Sequence, residues 1–241
     1  MVRDRSRAPG LPRAEVAEAP DYADADAMRA ALEGAETFYL VSTGEHPDRV
    51  SLHRSAVDAA AASGVERILW VSFLAAAPDA TFTFARDHFR TEQHVRESGL
   101  RFTFLRSSMY MDFLPTFVSD GVIRGPAGSG RVAAVARDDL ANATAAVLLA
   151  GDEHDARTYG LTGPEALTMA EIASRLGASY VEETLEEARA SRAPSGAPDW
   201  EIEGSVSSYA AIATGEMDVV TDAVELLAGH PPMSLAEFVS R

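Results

Sequence analysis

The chain contains no cysteine in 241 residues, which rules out disulfides, thiolate metal sites and a cysteine nucleophile. It also lacks surplus positive charge: 21 Lys and Arg against 37 Asp and Glu leave a net charge of −16. That balance argues against nucleic acid as a partner, because neutralising phosphates needs clustered cations. An anionic membrane surface is disfavoured for the same reason. No apolar run reaches the ~20 residues that a spanning helix needs; Ile68–Ala77 is among the longest. Met1–Arg13 is rich in Arg and holds no apolar stretch of the secretory-signal kind. These absences predict a cytoplasmic protein with neither a nucleic-acid nor a membrane partner and with no metal site. One further absence concerns a motif. Nowhere does a strand run through G-x-G-x-x-G into a helix, the arrangement that brings backbone N–H groups and a helix N-terminus to a pyrophosphate. The one dense glycine run, Gly125-Pro126-Ala127-Gly128-Ser129-Gly130, leads into RVAAVA, a strand pattern, and reads as a surface loop.

Apolar residues make up 46% of the chain, enough for a substantial core. From Ala25 onward the apolar pattern alternates between two periods. Ala25–Leu32 has Met28 and Leu32 one turn apart, with Gly34 as a stop. Glu36–Ser42, Arg67–Phe73 and Arg101–Arg106 read as strands apolar on both faces, and Asp48–Ser63 and Thr83–Ser98 as the helices between them. Strand–helix–strand–helix–strand is the βαβ repeat, whose right-handed crossovers give a parallel sheet. The predicted fold is therefore α/β, a Rossmann-like parallel sheet over residues 1–108. Residues 109–241 are predicted to form a smaller C-terminal α+β lobe that closes over the carboxyl ends of the strands and returns some elements to the core. In that half, Val132–Ala136 and Thr158–Thr162 read as strands. Asp138–Leu149, Thr168–Leu176, Glu182–Ser191, Asp199–Ala213 and Ser234–Val239 read as helices.

Four segments carry a family resemblance: DYADADAMRAALEG (Asp21–Gly34), FYLVS (Phe38–Ser42), GVERILWVSFLAA (Gly64–Ala76) and HFRTEQHVRESGLRFTFLRSSMYMDF (His88–Phe113). In this order they resemble the NmrA-like branch of the atypical short-chain dehydrogenases/reductases, and its quinone- and azo-reductase-like members most. RVAAVARDDLANATAAVLL and TYGLTGPEALTMAEIA are similar to the C-terminal lobe of that family. The resemblance implies that Val2-Arg3-Asp4 ends the second strand of the sheet, with the first strand, glycine loop and first helix unmatched: an N-terminally truncated sheet. It places Arg3 and Asp21 toward the adenosine end of NADPH or NADH, and Ser42, Thr43, Ser72 and Phe73 beside the nicotinamide. The unmatched glycine loop puts cofactor binding in question.

Tyr-x-x-x-Lys reductases use the Tyr as proton donor. In this alignment Phe84 stands at the Tyr position and His88 at the Lys position. The usual alcohol-dehydrogenase chemistry is thereby disfavoured. His88 and Glu92, one turn apart, become the candidate catalytic pair, set against a simple His–Glu contact. Phe84, Met109, Tyr110 and Phe113 are the candidate substrate contacts, set against plain packing. The resemblance implies an NAD(P)H-dependent reductase of a quinone, azo or other conjugated hydrophobic small molecule. Two alternatives stand beside it, a cofactor-free isomerase or cyclase and a non-catalytic ligand sensor. Without a central first strand, Glu36–Ser42 becomes a sheet edge, predicted to be covered by the N-terminal segment or by a second copy in a homodimer.

Overall fold

A computed structural model describes residues 1–8, 10 and 12–241 of the chain. They form two compact units. The first is Met1–Val71, Arg90–Phe104 and Asp155–Arg157; the second is Ser72–Phe89, Leu105–His154 and Thr158–Arg241.

The first half alternates helix and strand: α1 (Ala25–Leu32), β1 (Thr37–Leu40), α2 (Arg49–Ala62), β2 (Arg67–Phe73), α3 (Thr83–Glu97) and β3 (Arg101–Ser107). There follow a 3₁₀ turn at Met111–Phe117, β4 (Val122–Gly125), β5 (Arg131–Val132), α4 (Arg137–Leu149), β6 (Arg157–Leu161) and β7 (Leu167–Thr168). The chain ends through α5 (Met169–Arg175), β8 (Ser179–Glu182), α6 (Leu185–Arg192), α7 (Asp199–Ala213), α8 (Ala223–Ala228) and α9 (Leu235–Val239).

The main sheet has the order β1-β2-β3-β6. β1 pairs with β2 in parallel, from Thr37 opposite Arg67 to Leu40 opposite Trp70. β2 and β3 also run together, since Arg101 N–H donates to Glu66 C=O at one end and Leu74 N–H to Ser107 C=O at the other. β3 and β6 do likewise, through Ala156 N–H to Phe102 C=O and Ser108 N–H to Leu161 C=O. The sheet is thus parallel and the class α/β, as the βαβ rhythm requires.

In unit 1, Met28 and Leu32 of α1, Phe38 and Leu40 of β1, Ala56, Val57 and Ala60 of α2, Ile68 and Trp70 of β2, and Phe104 of β3 form one buried cluster. The alanines of α2 let that helix lie close on the sheet. Unit 2 has its own core, built from Met111, Leu114, Ile123, Met169, Ile172, Tyr209, Ile212 and Met217. Among the described residues no helix is long and apolar enough to cross a membrane.

Three sequence readings need correction. β1 is shorter than Glu36–Ser42 and is not buried on both faces: Phe38 and Leu40 are buried, while Tyr39 and, just beyond the strand, Val41 are 37% and 44% exposed. It is an end strand of the sheet, so only one of its faces is packed. Val132–Ala136 shortens to a two-residue strand, with Val135 making a separate parallel bridge to Tyr110. The helix expected from Glu182 starts at Leu185, because Thr184 and Glu187 form a capping box and Ser179–Glu182 pairs instead with β4. Near the N-terminus, Val2 forms a parallel bridge with Glu18, through Val2 N–H to Ala17 C=O and Ala19 N–H to Val2 C=O.

Candidate functional site

In unit 1 the residues of interest lie beyond Val2 and at the exit of β1. Arg3 follows the Val2–Glu18 bridge and is exposed. Its guanidinium acts on the phenol of Tyr22: burial raises that phenol above its ordinary value and Arg3 opposes the rise. Asp21 caps the turn before α1, accepting from Ala23 N–H at 3.0 Å. The Tyr22 hydroxyl donates to Val41 C=O at 2.9 Å. Ser42 and Thr43 are half-buried in the irregular segment beyond β1, and Thr43 N–H donates to the ring of His53 at 3.1 Å. An arginine, an aspartate and a pinned strand exit are therefore gathered in one unit.

In unit 2, Ser72 and Phe73 end β2. The Ser107 hydroxyl oxygen at the end of β3 lies 3.3 Å from Ser72 C=O and 3.2 Å from the Tyr110 hydroxyl. Burial pushes the Tyr110 phenol up, with the Ser107 hydrogen bond opposing, so the side chain stays a neutral donor near pH 7. Phe73 begins a run of rings: Phe82 at 5.1 Å, Phe84 a further 5.5 Å, Trp200 of α7 a further 6.2 Å. His88 lies 6.1 Å from the Phe73 ring. Phe84 is buried against α7, where a side chain on Gly204 would come within 2.7 Å of its ring. The start of α3 is fixed by Thr83 N–H donating to Ser207 Oγ at 3.2 Å and Thr81 N–H to the Glu216 carboxylate at 3.1 Å. Met109 is half-buried, its carbonyl accepting from Val135 N–H. Phe113 is 46% exposed, with the Arg137 guanidinium 4.9 Å above its ring. Asp112 accepts from Arg137 N–H at 3.1 Å.

His88 and Glu92 are both buried on α3, not a surface pair. Among the described residues no group of three or more acidic or histidine side chains is arranged to hold a metal. Asp139, in the first turn of α4, is buried and accepts from Met233 N–H at 2.7 Å, so it ties α4 to the C-terminal segment. The sequence reading passed over three contributors. Phe82 was hidden in an F-T-F doublet whose second member drew attention. Arg137 looked like part of a charged helix start. His53 lies on the buried face of α2; its signal is a polar ring among Ala56, Val57 and Ala60.

Arg3 offers an exposed guanidinium of the kind that meets a ribose phosphate, and the exits of β1 and β2 are where open parallel sheets bind ligands. The glycine run 125–130 does not supply a pyrophosphate cradle. A Cβ on Gly125 would meet the Tyr209 ring at 2.4 Å and one on Gly130 the Ile212 carbonyl at 2.0 Å, so these glycines make room for α7.

Comparison with known proteins gives the family. Residues 1–150 match the family model described as NAD(P)H-binding. Quinone oxidoreductase 2 of Escherichia coli (strain K12) is 33% identical over 230 residues, covering 91% of this chain and 80% of that protein. Its crystal structure with NADPH superposes with a TM-score of 0.84 at 31% identity, covering 93% of this chain and 82% of that one. An NAD(P)H azoreductase of Xenophilus azovorans is 30% identical over 249 residues, covering 99% and 86%. NmrA, a negative transcriptional regulator crystallised with NAD, shares the fold with a TM-score of 0.72 at 17% identity, over 95% of this chain and 81% of that one. The chain belongs to the NAD(P)H-binding family and, within it, to the NmrA-like atypical short-chain dehydrogenases/reductases.

Proposed function

We propose that this protein is an NAD(P)H-dependent reductase of quinone-, azo- or similarly conjugated flat acceptors. The observation that carries the reading is the aromatic run Phe73–Phe82–Phe84–Trp200 in unit 2, which begins at the exit of β2 and has His88 beside its first ring. Rings in tilted and edge-on contact suit a planar substrate. Phe84, Met109, Tyr110 and Phe113 are the acceptor contacts in this reading. Arg3 and Asp21 hold the adenosine end of the cofactor, and Ser42, Thr43, Ser72 and Phe73 its nicotinamide end. Bound NAD(P)H would supply the hydride.

The acceptor also takes up a proton. Phe84 has none to give, so the side chain asked to supply it is His88, with Glu92 one turn on as its partner. Conjugated acceptors spread the incoming charge over their own π system and ask less of a protein acid than a ketone does. This chemistry is compatible with Phe at position 84.

The test is cofactor oxidation in the presence of menadione and of methyl red, followed by the loss of reduced-cofactor absorbance. Turnover is expected with both acceptors. In Arg3→Gln, loss of a charge-assisted contact of about 1.5–3 kcal/mol should raise the Kd for NADPH roughly 10- to 100-fold and leave that for NADH nearly unchanged. Absence of turnover and of any thermal shift at millimolar NADPH and NADH would sink the reading.

The reading also gives β1 a partner. An apolar end strand with Tyr39 and Val41 outward favours edge-to-edge pairing with a second copy. Sedimentation is expected to show twice the 25.7 kDa chain mass. Val41→Lys, which charges that face, should return a monomer; a wild-type chain that is monomeric at high micromolar concentration removes the dimer.

A further inference from the structure

Unit 1 buries one titratable ring that has no part in the roles above. His53 of α2 is 0% exposed, and its ring packs edge-on against Trp70 with centroids 4.9 Å apart. Its two nitrogens have defined neighbours. Thr43 N–H points at Nε2, 3.1 Å away, and Nδ1 lies 3.0 Å from Thr91 Oγ1 of α3. A backbone N–H can only donate, so Nε2 must be the acceptor. The ring proton then sits on Nδ1 and is donated to the Thr91 hydroxyl. Burial, aided by Arg49, pushes the His53 pKa down to about 3, which keeps the ring neutral across ordinary pH.

Beyond Arg49 at the start of the helix, the rest of the buried face of α2 is Ala and Val. A polar ring there carries a desolvation cost that Leu or Met would avoid, and hydrogen bonding offsets that cost only if both nitrogens are used. Both are used, and one of them holds the segment beyond β1. Among the described residues that segment, Val41-Ser42-Thr43, belongs to no strand. It is fixed by two side-chain contacts, the Tyr22 hydroxyl on Val41 C=O and the His53 ring on Thr43 N–H.

We infer that His53 is a positioning residue, a tautomer-locked latch that holds Val41–Thr43 in the shape that receives the nicotinamide cofactor. The inference rests on the reading of Ser42 and Thr43 as cofactor contacts. Arg49 on the same helix is the charge acting on the ring. Glu92, beside Thr91 on α3, is the buried carboxylate of the neighbouring element. His53 touches no reacting atom in this scheme and acts through the Thr43 backbone.

Three variants of the full chain test it: His53→Leu, His53→Gln and Thr91→Val. Nitrogen-15 spectra of the wild type should show a neutral ring protonated at Nδ1, without any cofactor present. In His53→Leu, loss of a hydrogen bond of about 1 kcal/mol should speed Thr43 amide exchange roughly 5- to 10-fold. The NADPH Kd and KM should rise by a similar factor while kcat at saturating cofactor stays within about twofold. The carboxamide oxygen of His53→Gln can take the Thr43 N–H and should restore most of the affinity. Thr91→Val removes the acceptor for Nδ1–H and should populate the other tautomer, with faster Thr43 exchange. It is a near-isosteric change and keeps the test alive if His53→Leu does not fold. Unchanged Thr43 exchange in the variants, or faster exchange with an unchanged NADPH Kd, would overturn the inference. Wild-type protein that binds no nicotinamide cofactor overturns the reductase reading and, with it, the cofactor role of His53. The tautomer and exchange measurements would then still decide whether the latch itself exists.

Discussion

Gly130→Ala is expected to cost about 4 kcal/mol or more, enough to move the unfolding transition far below that of the wild type. The reason is geometric. A Cβ at position 130 would lie 2.0 Å from the Ile212 carbonyl oxygen and 2.7 Å from the Ala213 Cα, both backbone atoms of α7. Neither can rotate away as a side chain would, so either the loop or the helix must move. Ile212 is completely buried in the unit 2 core, so moving the helix opens that core. A penalty of this size is about a quarter or more of the stability of an ordinary domain, about 5–15 kcal/mol. At 2–4 °C per kcal/mol for a chain of this length, the melting temperature should fall by ~10 °C or more.

Two other substitutions act as controls. Gly128→Ala faces only the Glu182 carboxylate at 3.6 Å but has φ +54. The left-handed backbone should cost it about 1–2 kcal/mol. Gly44→Ala meets nothing within 4 Å and should be neutral within about 0.5 kcal/mol. A phosphate cradle makes a different prediction, namely that Gly130→Ala folds normally and loses only cofactor affinity. Urea midpoints of the three variants separate the two accounts, and a Gly130→Ala midpoint equal to wild type would show that α7 does not press on the loop.

The same loop shows how far sequence reasoning reaches. Most patterns longer than about six residues were legible to within a residue or two, the start of α6 being off by three. Arg67–Phe73, Asp199–Ala213 and Ala25–Leu32 emerge with the predicted bounds, because each pairs an apolar period with a clear stop. The short pieces were not. β4 and β8 are four residues each, and neither Val-Ile-Arg-Gly nor Ser-Tyr-Val-Glu carries a period long enough to announce a strand. They exist because each supplies the other's hydrogen bonds, from Val122 opposite Ser179 to Gly125 opposite Glu182, across more than fifty residues of sequence. The glycines of the 125–130 loop were read as loop composition, whereas α7 dictates two of them, and nothing local to the loop encodes α7.

The candidate site divides along the same line. Residues that matched a family segment, such as His88 and Arg3, could be named from the sequence. Residues defined by what packs on them could not. Phe82 acquires meaning only beside Phe73 and Phe84, and Arg137 only above Phe113 and Tyr110. His53 is the sharpest case. Its helix position was legible, but the two threonines that hold its ring lie 10 residues before it and 38 after it.

Acid should unfold this protein more steeply than a variant without His53, by about 4 kcal/mol between pH 6.5 and 3.5. The folded-state pKa of the ring is pushed down to about 3 from an ordinary value of 6.5, first by burial and then by Arg49. The sign follows from proton counting. Above pH 6.5 the ring is neutral in both states and the native hydrogen bonds are intact. Below it the unfolded chain binds a proton that the folded chain refuses, so stability is lost as pH falls toward the folded pKa. The slope approaches 1.36 kcal/mol per pH unit across that window. Capping carboxylates add a loss of the same sign: Glu171, Glu187 and Glu237 are all held below their ordinary values by hydrogen bonds from Thr168, Thr184 and Ser234. They are present in wild type and variant alike, so the difference between the two isolates His53.

Urea midpoints of wild type and His53→Gln at pH 7.5, 6, 5 and 4 give that difference directly. The variant should begin less stable and lose less on acidification, so that the two curves converge. Parallel curves would mean that the ring takes up its proton in the folded state as readily as in the unfolded one. A protonated ring presents N–H at both nitrogens and cannot accept from Thr43, so that result would release the segment beyond β1 at any pH where the ring is charged. A latch built from a neutral imidazole works at pH 7 because the fold makes the charged form costly, and the same cost appears as the acid slope.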